Sequence, residues 1–169
     1  MKMDYLLFFK MVNKLILWLF CLIVLSSCMV SPPKKTSNIC EIFYEKRSWY
    51  KAAVKTEKRW GSPAYVTLAF IKQESDFQQG AKPERTKLLG FIPWKRKSSA
   101  YGYAQAIDGT WDIYKKQAKK PLASRTSFKD SVDFIGWYNK KSNKLLGIPK
   151  DNARSVSYTH LTLPTRIFV

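Results

Sequence analysis

The stretch from Gly61 to Phe77 constrains this chain most, because it reads as a helix with a marked start, an apolar body and a carboxylate near its end. Gly61 supplies a stop for whatever precedes it. Ser62 is placed to cap the new helix, and Pro63 suits its first position, where a missing N–H costs nothing. The body, Ala64-Tyr65-Val66-Thr67-Leu68-Ala69-Phe70-Ile71, is rich in apolar residues. Val66, Ala69 and Phe70 share one face, and Glu74 continues that face four residues beyond Phe70. A carboxyl there is expected to be both desolvated and near the negative end of the helix dipole. Both effects favour its neutral form. Such a group can donate a proton near neutral pH. From this stretch alone, a solvated Glu at a fraying helix end is the other reading.

Further elements are expected around it. A helix spans roughly Cys40 to Trp60, with Trp49, Ala52, Ala53 and Val54 as a partial apolar stripe. Residues 77–101 read as a long basic loop, since Gly80, Pro83, Gly90 and Pro93 interrupt regular structure, and Phe91 and Trp94 add rings to its charges. Asp108 or Thr110 caps a helix over Trp111 to Tyr114. A last helix starts after Thr126 or Ser127, carries Phe128, Val132, Ile135, Tyr138 and Leu145, and ends at Gly147 and Pro149. The pattern predicts one mainly helical, compact domain over 40–154.

The N-terminus reads as an export signal. Lys2, Lys10 and Lys14 precede the apolar run Leu15 to Leu25, which is too short to span a bilayer comfortably. Leu25-Ser26-Ser27-Cys28 resembles a bacterial lipobox. That resemblance implies removal of residues 1–27, lipidation of Cys28, a membrane anchor, and, with Met29 following, an outer-membrane location facing the periplasm. Residues 28–39, with Pro32, Pro33 and several polar side chains, are expected to be a flexible tether.

The formal charge is +18, from 30 Lys+Arg against 12 Asp+Glu. Removing 1–27 takes away three Lys and one Asp, so +16 stays with the domain. This favours an anionic partner. No zinc-finger spacing and no RNA-binding aromatic pattern is present, so nucleic acid is not the expected partner. Cys21 leaves with the signal and Cys28 is lipidated, which leaves Cys40 as a lone thiol, expected to be buried. The single histidine, His160, has no ligand-spaced companions, and neither a metal nor a cofactor is expected.

The tail changes character near Ser155. Val156-Ser157-Tyr158-Thr159-His160-Leu161-Thr162-Leu163-Pro164-Thr165 resembles a translated sequencing adapter. Residues 155–169 are therefore expected to be foreign, with the native chain continuing past Arg154.

Two motifs carry the chemistry. Glu74-Ser75-Asp76-Phe77 resembles the Glu-Ser-x-Phe motif of soluble lytic transglycosylases. Tyr101-Gly102-Tyr103-Ala104-Gln105-Ala106, with Thr110-Trp111 beyond, is similar to that family's Gly-Leu-Met-Gln element. Order and spacing agree over roughly Ser48 to Arg154. The resemblance implies a lysozyme-like fold of the α+β superfamily, C-terminally incomplete in this chain. It implies cleavage of the β-1,4 bond from N-acetylmuramic acid to N-acetylglucosamine, with Glu74 as the single acid and base and the substrate's acetamido group assisting. Ser75, Gly102, Tyr103 and Gln105 would orient Glu74 or hold the glycan, and Tyr101 and Trp111 are candidates to stack on sugars. Peptidoglycan strands would be the partner, with the protein a monomer. The family's third element, Ala-Tyr-Asn-x-Gly-like, is expected just after Arg154, so the chain as written is expected to lack it. Three alternatives remain: a lysozyme-type hydrolase using Asp76 or Asp108 as second carboxylate, a glycan-binding lipoprotein that does not cut, and a binder of anionic lipid or nucleic acid whose binding is salt-sensitive.

Overall fold

The computed structural model describes residues 9–18 and 30–154. The lipobox with Cys28 and the tail from Ser155 lie outside the described residues. The chain divides into two units, Met1–Val30 and Ser31–Val169. In the first, residues 9–18 are helical, with Leu15, Leu17 and Trp18 exposed. Among the described residues no helix is long and apolar enough to cross a membrane.

The second unit is mainly helical, as expected, and also holds one small sheet among its described residues. Its elements are α1 (Ile39–Glu45), α2 (Arg47–Trp60), α3 (Ala64–Ser75), β1 (Arg85–Leu88), β2 (Ile92–Arg96), α4 (Asp108–Gln117) and α5 (Phe128–Leu146). The single helix expected over Cys40 to Trp60 is two helices. The break falls at Lys46, whose φ of −114° and ψ of 70° leave the helical region. No Gly or Pro marks it. Asn38 caps α1, its side chain accepting from Cys40 N and Glu41 N. Cys40 is exposed rather than buried. Part of the expected tether is also ordered against the domain: Pro33 is buried, Lys34 N–H donates to Glu45 at 3.0 Å, and Lys72 Nζ donates to Thr36 at 2.7 Å.

Helix α3 is buried on nearly every side, through Val66, Thr67, Leu68, Phe70 and Ile71, and not on one stripe alone. It packs against both α2 and α5. Ser62 does not cap it. Pro63 occupies that position, and Ser62 is buried with its hydroxyl accepting from Asn139 Nδ2 at 2.7 Å. Helix α5 starts where expected, with Ser127 Oγ accepting from Asp130 N, and ends at Gly147 in the left-handed region. Leu145, assigned above to its apolar stripe, is exposed. Helices α2 and α5 approach so closely at Gly136 that a Cβ there would lie 2.5 Å from Thr56 Cγ2.

A buried carboxylate ties these helices together. Asp133 of α5 accepts from Arg59 Nη1, Trp60 Nε1 at 3.1 Å and Tyr114 Oη at 2.8 Å, and pairs with Lys120 at 3.0 Å. Burial alone would raise the Asp133 pKa, but the Lys120 and Tyr114 hydrogen bonds outweigh it and hold the carboxyl below its ordinary value. Burial, then the charge on Asp133, push the Tyr114 phenol upward.

The long loop expected over 77–101 contains a hairpin. β1 and β2 pair antiparallel, with Leu88 opposite Ile92 and Arg85 opposite Arg96. Two residues read as breakers are accommodated. Gly90, with φ of 81°, sits in the turn, and Pro93 lies in a two-stranded ribbon where both strands are edges.

Candidate functional site

The end of α3 is shaped by two consecutive left-handed residues, Asp76 (φ 48°) and Phe77 (φ 61°). They turn the chain sharply out of the helix, and Phe77 is buried against Trp49 with ring centroids 5.8 Å apart. Glu74 stands in the turn just before this bend and is half-buried. Asp76 is exposed and forms an ion pair with Lys72.

Ser75 joins the two sequence motifs. Its buried hydroxyl donates to Tyr103 O at 2.8 Å, with Ile71 O at 3.2 Å as a second acceptor. The residue after Glu74 is thus fastened to the backbone of the Gly-x-x-Gln element, 28 positions along the chain. Ser75 therefore acts on the position of Glu74 and presents no free hydroxyl face to a groove.

The element itself is a tight turn. Tyr101 bridges to Ala106, Gly102 N–H donates to Ala81 O at 3.0 Å, and Tyr103 N–H donates to Arg125 O at 3.2 Å. Gly102 has φ of 77°, and a Cβ there would meet Arg125 O at 2.0 Å, so only glycine fits. Gln105, at φ of 46°, folds its Nε2 back to donate to Ala81 O at 2.9 Å and Gly102 O at 2.8 Å. Tyr103 was a candidate glycan contact, but its ring is in the core. It packs edge-on to Trp49 and Phe128, and burial pushes its phenol up to about 12. Trp111 is likewise a core ring, buried against Tyr114 and Phe134.

Tyr101 is half-buried, with Lys82 Nζ 4.9 Å and the Arg125 guanidinium 5.5 Å from its ring centre. It opens onto a cleft of about 350 Å3 that Asp108, Trp111, Lys115 and Arg125 also line. Arg125 organises this wall. It donates to Ser99 O and Ala106 O and pairs with exposed Asp108 at 2.8 Å.

A residue outside both motifs also responds to the charge of Glu74. Tyr138 of α5 is buried, and its ionisation is opposed first by that burial and then by the negative charge of Glu74. The two side chains are therefore electrostatic neighbours, and the phenol stays neutral. Asn139, next along, donates to Ser62 Oγ at 2.7 Å and to Lys150 O at 2.9 Å, fixing α5 to the start of α3. The third family element, expected just after Arg154, lies outside the described residues. In the sequence, Tyr138 carries only the helical spacing of an apolar position of α5. Among the described residues, no group of three His, Cys, Asp or Glu side chains is placed to hold a metal.

A family model described as "Transglycosylase SLT domain" matches residues 16–160. No curated protein and no solved structure matches the chain.

Proposed function

The chain belongs to the transglycosylase SLT-domain family, and on that premise we propose that it is a peptidoglycan lytic transglycosylase with Glu74 as its single acid and base. The family places it among lysozyme-like domains whose general chemistry is cleavage of peptidoglycan strands. The observation that supports the finer reading is the joining of the two sequence motifs at the end of the helix that carries Glu74. Ser75, the neighbour of Glu74, is bonded to the Gly-x-x-Gln turn, and the charge of Glu74 is felt by the buried Tyr138 of α5.

In the proposed reaction, Glu74 donates its proton to the oxygen linking N-acetylmuramic acid to N-acetylglucosamine, and the C1–O4 bond breaks. The substrate's acetamido group supports the anomeric carbon in the interval. The muramic 6-hydroxyl then bonds to C1 and returns its proton to Glu74. The product ends in a 1,6-anhydro ring, no water is consumed, and the enzyme is restored. Tyr138, a phenol held neutral, serves as a hydrogen-bonding neighbour and not as a second charge. Tyr101, on the turn that Gly102 and Gln105 hold in shape, offers its half-buried ring to the glycan. Lipidation at Cys28 would hold the enzyme, a monomer, to the outer membrane on its periplasmic side.

The test uses purified sacculi. Glu74→Gln is expected to keep binding sacculi while losing release of muropeptides, by about 100-fold or more, the scale of losing a general acid. Release at the normal rate would remove Glu74 from the mechanism. Mass spectrometry of the wild-type products is expected to show anhydro ends, lighter by one water than reducing ends. Reducing ends would make the protein a hydrolase instead.

A further inference from the structure

The β1–β2 hairpin takes no part in the site just described. Among the described residues no helix covers it: all five residues of β2 are exposed, as are three of four in β1. Its side chains are sorted along its length. The tip carries Leu88, Leu89, Phe91 and Ile92, with Leu89 77% and Phe91 73% exposed. Trp94, 53% exposed, follows after Pro93. The stem carries Arg85, Lys87, Lys95, Arg96 and Lys97, and residues 85–97 contain no carboxylate. The turn is tight, with Leu89 at φ of 53° and Gly90 at 81°, and Phe91 N–H donating to Leu88 O at 3.4 Å.

An apolar tip left in water is unfavourable and rare on a protein that has no use for it. A second copy of the chain is a poor occupant, because pairing two such hairpins would set the same cations against each other. An anionic bilayer fits each part. The tip enters the acyl boundary, Trp94 sits at the headgroup level that tryptophan favours, and the cations meet lipid phosphates.

We propose that the 85–97 hairpin is a membrane-docking wedge that inserts Leu88, Leu89, Phe91 and Ile92 into an anionic phospholipid surface through its basic stem. It acts as an attachment point separate from the N-terminal segment, and stands whether or not Glu74 cuts glycan. Each near-surface cation is expected to raise partitioning by about fivefold.

The experiment reads Trp94 in the full chain, as the difference in tryptophan emission between the wild type and Trp94→Phe. Vesicles of phosphatidylglycerol with phosphatidylcholine, or of phosphatidylcholine alone, carry bromine on their acyl chains as a quencher. Quenching of the Trp94 signal is expected in the phosphatidylglycerol vesicles, at least fivefold weaker in phosphatidylcholine alone, and diminished by high salt. Lys87→Glu with Lys95→Glu, and separately Leu89→Ser with Phe91→Ser, are expected to abolish it with unchanged circular dichroism. An unquenched Trp94 in chain that floats with the phosphatidylglycerol vesicles would overturn the proposal, as would equal quenching in both vesicle types. A Trp94 shift that depends on protein concentration without lipid would assign the tip to a second copy. A shift with soluble muropeptides alone would assign it to glycan.

Discussion

Gly102→Ala tests how the Gly-x-x-Gln turn is held. Two separable costs are expected. The backbone at Gly102 has φ of 77°, where an L-residue costs about 1–2 kcal/mol. The new Cβ would also lie 2.0 Å from Arg125 O, far inside van der Waals contact, so the turn or the Arg125 segment must move. That movement breaks Tyr103 N–H to Arg125 O at 3.2 Å and strains Gly102 N–H to Ala81 O at 3.0 Å, worth about 1 kcal/mol each. The sum is about 3–4 kcal/mol, a large share of the roughly 5–15 kcal/mol that holds a domain together. A fall in Tm of about 10–15 °C follows. Gly147→Ala isolates the first cost, because φ there is 68° and nothing lies within 4 Å of the new Cβ. It is expected to lose only about 1 kcal/mol. Thermal melts by circular dichroism compare the two, and muropeptide release measured well below the melting range reports on the site. Equal melting temperatures for Gly102→Ala and Gly147→Ala would refute the close approach of the turn to Arg125.

Three further outcomes are expected. Tyr138→Phe keeps the buried ring and removes the hydroxyl that feels the charge of Glu74, so kcat should fall by about tenfold or more, the scale of one transition-state hydrogen bond, with the fold intact by circular dichroism. Ser75→Ala leaves the buried Tyr103 carbonyl without its donor, at about 1–3 kcal/mol; kcat should fall with KM unchanged, whereas a raised KM would show that Ser75 binds glycan directly. Asp133, whose folded pKa is lowered, contributes stability that is present above its unfolded pKa of about 3.9. That contribution is lost as pH falls through the folded value, so acid melts should show Asp133→Asn less stable than the wild type at neutral pH, and the gap closing below about pH 4.

The helix ends that were legible in the sequence are those marked by special residues: Gly61 and Gly147 as left-handed stops, and Ser127 as a cap. Where punctuation was absent or served another purpose, the reading failed. Lys46 breaks a helix with no local signal. Gly90 and Pro93 looked like loop residues because a lone, uncovered hairpin shows no alternation of buried and exposed side chains. Ser62 looked like a cap, yet its hydroxyl is taken by Asn139, 77 residues away. No local pattern records such a pairing. The same limit hid Tyr138, whose helical spacing announces a buried ring and not its neighbour.

The site's physical logic differs from a reading in which every motif residue touches substrate. Ser75 and Tyr103 are buried and bonded to each other through a side chain and a carbonyl. Gly102 is glycine because a backbone passes within contact of it, and the amide nitrogen of Gln105 is turned back on its own loop. These residues make one rigid connection from α3 to the turn, and Asn139 makes another from α5 to the start of α3. Glu74 is thereby held by its helix from both ends. The other carboxylates weighed for a hydrolytic role are exposed and engaged by cations, Asp76 by Lys72 and Asp108 by Arg125. A mechanism in which one carboxyl gives up a proton and later takes one back needs that group to stay in place between the two steps. A second carboxylate would matter less to it than this double fastening.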